Sequence, residues 1–167
     1  MKKFIVLMCM LLPVGVFSQE VKIAIVNANE VFSLMPENDE VEKKLAALSA
    51  EYQADLESMT NEHKMKYEEY IKLQDSLNDN LKLRRQQELT ELEGRIQNLY
   101  TIAQQDMEQK QTELYAPMQE KLQNAIKAVG DEQGYTMIFN RLDQILLYIG
   151  TSAIDATPLV KAKLGLR

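Results

Sequence analysis

The fold is decided by a long helical stretch that begins at Glu37 with ENDEVEKKLAALSAEYQADLESM, residues 37–59, and runs on to about Val129. Only one glycine, Gly94, and one proline, Pro117, occur in these 93 residues. The stretch is far longer than a single helix of a globular protein. Apolar side chains recur in steps of three and four with a mean near 3.6, which predicts a straight or slightly right-handed helical pair. The predicted apolar seam of the first half comprises Val41, Leu45, Leu48, Tyr52, Leu56, Met59, His63, Tyr67 and Tyr70.

A turn in the middle folds this stretch into two helices. Residues 75–80, DSLNDN, are the only cluster of turn-forming residues in the region, midway between Pro36 and Pro117. We therefore predict an antiparallel helical hairpin, the arm, over residues 37–117, with its tip near 75–80. The seam of the second half includes Leu92, Ala103 and Met118, and Lys110 is its one clear break.

The flanking segments predict a small α+β body, residues 19–36 and 118–167. Residues 21–26, 135–139 and 144–149 resemble strands, and the last two are expected to form a β-hairpin. Asn27 with Glu30 indicates a helix start, Gly130 the end of the long helix, and Thr157-Pro158 the start of a final helix. Three short strands with two apolar faces cannot cover themselves, so the body is expected to close as a homo-oligomer. The side chains expected at this closure are Ile23, Ile25, Ile138, Leu146 and Tyr148.

The first 18 residues predict a cleavable secretory signal peptide. Lys2 and Lys3 precede 14 uncharged residues, and Ser18 ends the run. An uncleaved membrane anchor is the rival interpretation, although the run is short for a spanning helix. Cleavage removes the only cysteine, Cys9, so the mature chain has no disulfide or thiol chemistry.

Charge and motif content exclude several functional classes. The chain has 19 basic and 25 acidic residues, and loss of Lys2 and Lys3 leaves 17 against 25, a net charge of −8. An acidic chain of this kind is not expected to bind nucleic acid. It has no phosphate-binding glycine loop, and one histidine without cysteine cannot build a His/Cys metal cluster, so we predict no cofactor, no metal and no enzyme activity.

Order and spacing of these segments resemble the Skp or OmpH-like family of periplasmic chaperones. The resemblance rests on Lys22-Ile-Ala-Ile-Val-Asn27, Val31-Phe32 and Pro36-Glu37, and on Gly134 to Asn140, Leu146 to Tyr148 and Asp155 to Thr157. It implies a homotrimer whose strands close a central barrel, with three arms around a cavity. It also implies an ATP-independent holdase that binds unfolded outer-membrane proteins in the periplasm. The best-known members are basic, whereas residues 37–74 here carry 10 acids and 5 lysines.

Candidate client-contacting residues lie on the arm, and each has a structural alternative. Tyr52, Tyr67 and Tyr70 either pack in the seam or offer amphipathic contacts to a client. Lys72, Lys82, Arg84 and Arg85 form a basic tip that is either a solvated end or a docking point for anionic lipid or acidic segments. His63 is expected to be a half-buried seam residue, or else a site of pH-dependent loosening. A structural or adaptor coiled-coil protein of the envelope, without chaperone activity, is the alternative function.

Overall fold

The computed structural model describes residues 21–142 and 146–166. The predicted signal peptide lies outside these residues. The body contains β1 (Ile23–Val26), α1 (Ala28–Ser33), β2 (Met137–Asn140), β3 (Ile154–Asp155) and α4 (Thr157–Lys163). Two long helices, α2 (Pro36–Leu73) and α3 (Asp79–Gln133), supply the arm, and α3 continues into the body. The structure is therefore mostly helical with a small three-stranded sheet, as the sequence predicts.

The arm is an antiparallel hairpin of α2 and α3. Contacts across it step regularly away from the tip: Gln86 Nε2 donates to the Tyr70 hydroxyl, the Tyr52 hydroxyl donates to Asp106, and Lys121 pairs with Glu37. At 1.5 Å per residue, the 38 residues of α2 extend about 57 Å. The turn spans residues 74–78, and the Asn78 side chain caps α3 by accepting the Leu81 N–H at 3.0 Å.

The seam follows the predicted positions with one exception. Val41, Leu92, Ala103 and Met118 are buried, and most remaining seam side chains are half-buried. Tyr67 departs from the prediction because its side chain is 51% exposed. Between His63 and Tyr70 the half-buried position is Lys66, whose aliphatic stem can cover apolar surface while its ammonium stays in water.

The body sheet is parallel, with the strand order β2-β1-β3. Ile23 pairs with Met137, and Ala24 pairs with Ile154. The predicted β-hairpin of residues 135–139 and 144–149 is therefore wrong: β2 pairs with β1, and residues 146–149 form no strand. Helix α3 delivers the chain to β2 at the same end of the sheet at which β1 begins, so the two strands run in the same direction.

One face of the sheet packs against α1, α4 and the body end of α3. Ala24, Val26, Val31, Val129 and Val160 lie at the centre of this core. The Asn27 side chain accepts the Glu30 N–H at 3.2 Å and caps α1, as predicted.

Helix α3 passes two positions at which the sequence suggested a break. It runs without interruption through Pro117. It also continues past Gly130, the predicted stop, to Gln133, and Gly134 ends it in the left-handed conformation with φ 66°. Glycine adopts this conformation without the steric penalty of a Cβ, so Gly134 is the stronger stop signal.

Candidate functional site

Two of the three predicted arm tyrosines lie in the seam. The Tyr52 hydroxyl donates to Asp106 Oδ2 at 2.9 Å, and the Tyr70 hydroxyl accepts from Gln86 Nε2 at 2.9 Å. Tyr67 faces solvent and stacks on the half-buried ring of His63, with the centroids 6.5 Å apart. Tyr67 is thus the member of this set that is most available to another molecule.

The basic tip is partly neutralised by its own helix. Arg84 and Arg85 both pair with Glu88, at 3.5 Å and 3.1 Å. A small pocket beside them joins the aliphatic side chains of Leu73, Leu77 and Leu89. Lys82 is half-buried and Lys72 is exposed in the last turn of α2. The structure therefore places the four predicted cations near the tip, two of them sharing one carboxylate.

Large apolar side chains remain exposed along both arm helices. Their exposed fractions range from 43% to 65%. They are Met65, Tyr67, Ile71, Leu73, Leu81, Leu83, Tyr100 and Ile102. They lie between the middle of the arm and its tip and do not converge on one closed pocket, so a ligand that contacts several of them must be extended.

A surface groove crosses the middle of the arm between α2 and α3. We call it the mid-arm groove and define it by six of its lining residues: Tyr52, Leu56, Tyr100, Gln104, Met107 and Glu108. Its volume is about 550 Å³, enough for a few side chains of a second molecule. Sequence patterning identified Tyr52 but missed Tyr100 as a candidate, because Tyr100 lies one position beyond the seam residue Leu99.

The negative charge of the protein resides on the arm. Residues 37–117 contain 18 acidic and 10 basic side chains, a net charge of −8. Residues 19–36 and 118–167 contain seven of each and are neutral. Long-range attraction along the arm therefore favours positively charged molecules.

The side of the body sheet opposite the helical core is apolar and partly exposed. Ile23, Met137 and Phe139 are 36–52% exposed on this side, whereas Ile25 between them is buried. Ile25, Leu146 and Tyr148, three of the predicted oligomerisation residues, line a groove of about 480 Å³ on this side together with Ile23. The fifth predicted residue, Ile138, packs instead against the core of its own chain.

One carboxylate of the body has a clearly altered acidity. Hydrogen bonds from the Thr157 hydroxyl and backbone N–H lower the pKa of Asp155. The Thr157 hydroxyl also accepts the Asn27 N–H at 2.9 Å. Together these bonds fasten the start of α4 to the ends of β1 and β3, and they have a structural role.

Metal-ligating side chains are dispersed in the described part of the chain. No group of three or more His, Cys, Asp or Glu side chains is arranged to hold a metal in residues 21–142 and 146–166. Within the same ranges, no helix has the length and apolar character needed to cross a bilayer.

Sequence and structure comparisons agree with this architecture. The sequence profile of the family described as "Outer membrane protein (OmpH-like)" matches residues 22–164, nearly the whole described chain. The chain belongs to the OmpH-like family. No curated protein sequence is significantly similar to this OmpH-like chain.

A crystal structure from the same family shows the fold. A Caulobacter crescentus CB15 protein, provisionally assigned as an OmpH-like outer membrane chaperone, superposes with a TM-score of 0.71. The match covers 87% of this chain and 84% of the other, at 14% sequence identity. The OmpH-like arrangement of a hairpin arm and a small sheet body is therefore conserved in shape although most residues differ.

Proposed function

We propose that this OmpH-like protein is an ATP-independent holdase chaperone of the periplasm that binds unfolded outer-membrane proteins. The observation that carries this proposal is the group of eight half-exposed apolar side chains between residues 65 and 102, which lie from the middle of the arm to its tip. Single scattered apolar side chains are normal on protein surfaces, whereas their concentration in one region is typical of binding surfaces. Membership in the OmpH-like family supports the same direction, as does the provisional description of the Caulobacter crescentus relative.

Binding through these side chains consists of several contacts, each of which is weak. Each exposed apolar side chain offers a modest area, and methionine and tyrosine adapt to varied partners. Affinity then arises from several simultaneous contacts within one complex. Release requires no nucleotide, which agrees with a sequence that contains no phosphate-binding glycine loop.

The body supports a second part of the proposal, assembly into a homotrimer. One face of its sheet is apolar and partly exposed, and the strand order leaves β2 and β3 at the edges. Association with further copies of the same chain is one way to cover unpaired edges and an exposed apolar face. Closure of three bodies would hold three arms around one cavity, and the arm tips would be free for transient contact with the membrane surface.

The test combines native mass spectrometry with an aggregation assay on the mature chain, residues 19–167. We expect a trimer that takes up one urea-unfolded outer-membrane barrel protein and suppresses its light scattering on dilution. A trimer that leaves aggregation unchanged would contradict the holdase and favour the structural or adaptor role. A monomer or dimer would contradict closure through the body.

A matched pair of variants tests the exposed side chains. Leu83→Ser with Ile102→Ser removes two of them, and we expect weaker suppression of aggregation. Gln87→Ser with Gln105→Ser alters exposed polar positions nearby and should leave suppression unchanged. Equal activity of both double variants would contradict a role for the apolar arm surface.

A further inference from the structure

The mid-arm groove combines apolar and aromatic surface with amide side chains. Leu56 and Met107 contribute aliphatic surface, Tyr52 and Tyr100 contribute ring edges and faces, and Gln104 contributes an amide that both donates and accepts hydrogen bonds. Tyr100 is half exposed, so its ring is accessible to a second molecule. These features suit an extended peptide segment, which presents side chains and unpaired backbone groups together.

Charge distinguishes this groove from the other arm grooves. Glu108 is the only ionisable acid or base, apart from the tyrosines, among the side chains that line it in the described chain. The groove near the base of the arm contains Lys44 and Lys121 beside its carboxylates, and the tip pocket contains Lys66 and Arg85. Of these three grooves in the described part of the arm, the mid-arm groove is the one with no lysine or arginine in its lining.

Three further carboxylates surround Tyr52 at the rim of the groove. The hydrogen bond to Asp106, followed by desolvation and then by the charges of Asp106, Glu51 and Asp55, raises the pKa of the Tyr52 hydroxyl. Glu51, Asp55 and Glu108 form no ion pair within the described residues. The rim therefore holds negative charge that a cationic ligand could neutralise.

Lys110, which precedes the groove residue Gln111 on α3, is already paired with a carboxylate. Lys110 Nζ lies 2.9 Å from Glu113 Oε2. The hydrogen bond to Glu113, the negative charge of Glu113 and the negative charge of Asp106 raise the pKa of Lys110. The Lys110–Glu113 pair is itself neutral, and Lys110 also attracts Asp106. The field at the groove is thus set mainly by Glu51, Asp55 and Glu108, the three carboxylates without an ion pair in the described chain.

We propose that the mid-arm groove binds client segments in which lysine or arginine adjoins apolar residues. This inference rests on the proposed holdase function and names the chemistry of the segments that one arm surface selects. The cationic group meets Glu108 and the carboxylates at the rim and lies near the accessible face of Tyr100, where a cation–π contact is favourable. Adjacent apolar side chains pack on Leu56 and Met107.

Labelled peptides of equal apolar content and opposite charge test the selectivity. We would measure fluorescence anisotropy of a peptide of about twelve residues with three lysines, against its counterpart with three glutamates. We expect the cationic peptide to bind about fivefold tighter at low salt, as a few exposed charge pairs provide. At about 300 mM salt, screening should reduce the preference below about twofold. Equal affinities at low salt would overturn the inference.

A charge-matched control locates the effect. Asp55→Asn with Glu108→Gln removes two charges at the groove, whereas Glu68→Gln with Glu93→Gln removes two charges elsewhere on the arm. We expect most of the cationic preference to disappear in the first variant and to remain in the second. An equal loss in both would assign the preference to the diffuse charge of the arm and overturn the groove as its site.

Photo-crosslinking identifies the occupant. A benzophenone side chain at Gln104 should capture the cationic peptide, and one at the exposed Gln87 should not. Capture of a second copy of the chain at position 104 would overturn the inference, because the groove would then be an interface between arms. If the protein binds an unfolded barrel protein but shows no preference for the cationic peptide, only this inference is contradicted. If it binds neither the peptides nor the barrel protein, the proposed function is contradicted.

Discussion

The Tyr52 hydroxyl donates a 2.9 Å hydrogen bond to Asp106 Oδ2 across the two arm helices. The residues are 54 positions apart in sequence, so this bond reports directly on the register of the hairpin. A polar contact inside a mainly apolar seam has few alternative partners in a shifted register. It therefore favours the observed pairing of α2 with α3 over a slipped one.

Tyr52→Phe should lower the stability of the arm at neutral pH, and this loss should shrink in strong alkali. The hydrogen bond to Asp106 raises the pKa of Tyr52 above its ordinary value of 10.0, so its stabilising contribution is present below that value and is lost as the pH rises through the folded-state pKa. The midpoint of urea unfolding, followed from neutral pH to well above pH 10.0, provides the measurement. Tyr67→Phe keeps the ring stacked on His63 and should change neither midpoint; an equal effect of both variants would contradict the role of the bond.

Two glycine substitutions should shift stability in opposite directions. A Cβ at either Gly134 or Gly94 would meet no atom within 4 Å, so packing does not decide either case. Gly134→Ala forces a left-handed conformation and should cost about 1 kcal/mol. Gly94→Ala lies inside α3 and should stabilise by about 0.5–1 kcal/mol. Urea unfolding measures the change in unfolding free energy of each variant. A Gly94→Ala protein that is less stable than its parent would contradict the uninterrupted helix.

Asp155→Asn should destabilise the body most at neutral pH. The bonds from Thr157 lower the pKa of Asp155 below its ordinary value of 3.8, so the contribution of the carboxylate is present above that value and is lost as the pH falls through the folded-state pKa. The stability difference between parent and variant should therefore shrink below about pH 3.8. Asp131→Asn, at an exposed carboxylate of α3, is the control; a difference independent of pH would argue for a purely steric effect.

Pro117→Ala should stiffen the junction of arm and body. Proline has no N–H to donate to the Glu113 carbonyl, so α3 lacks one ladder bond there. Restoring that bond should raise the free energy of unfolding by about 1–3 kcal/mol and slow hydrogen exchange of the neighbouring amides. Gln119→Ala, an exposed change two residues away, should alter neither by a comparable amount. Unchanged exchange around residue 117 would contradict a weakened ladder.

Sequence reasoning succeeded for the arm because the arm is determined locally. The periodicity of apolar residues and the near absence of glycine and proline each act over a few turns of helix. Asn78 could be recognised as part of the turn because a short polar side chain there can cap the next helix, as it does. The prediction for Tyr67 was wrong because it assumed a step of four residues from His63, whereas the seam takes a step of three, to Lys66.

The body was harder to predict because its strands are short and their partners are distant. A strand of four residues such as Met137–Asn140 carries no signal for parallel or antiparallel pairing, and proximity to residues 144–149 wrongly favoured a hairpin. The pairing depends on where α3 delivers the chain. Two-residue β3 is too short for any periodic signal. The mid-arm groove was missed for a related reason, since it joins seam residues such as Tyr52 and Leu56 to neighbours such as Tyr100 and Glu108, and these meet only when α2 and α3 pair.

The position of β1 has a consequence for the order of folding. This strand is synthesised first, yet its neighbours come from the far end of the chain: the Asn27 N–H bonds Thr157 across 130 positions, and the Ala28 N–H bonds Asn140 across 112. Contacts at such separations are slow to form from an open chain because a large loop must close. Pairing of α2 with α3, which can start at the tip, brings Glu37 beside Lys121 and so shortens the loop between β1 and its C-terminal neighbours. Pairing of the arm helices should therefore speed folding of the body. The body itself can form only after the C-terminal residues that pair with β1 have been synthesised.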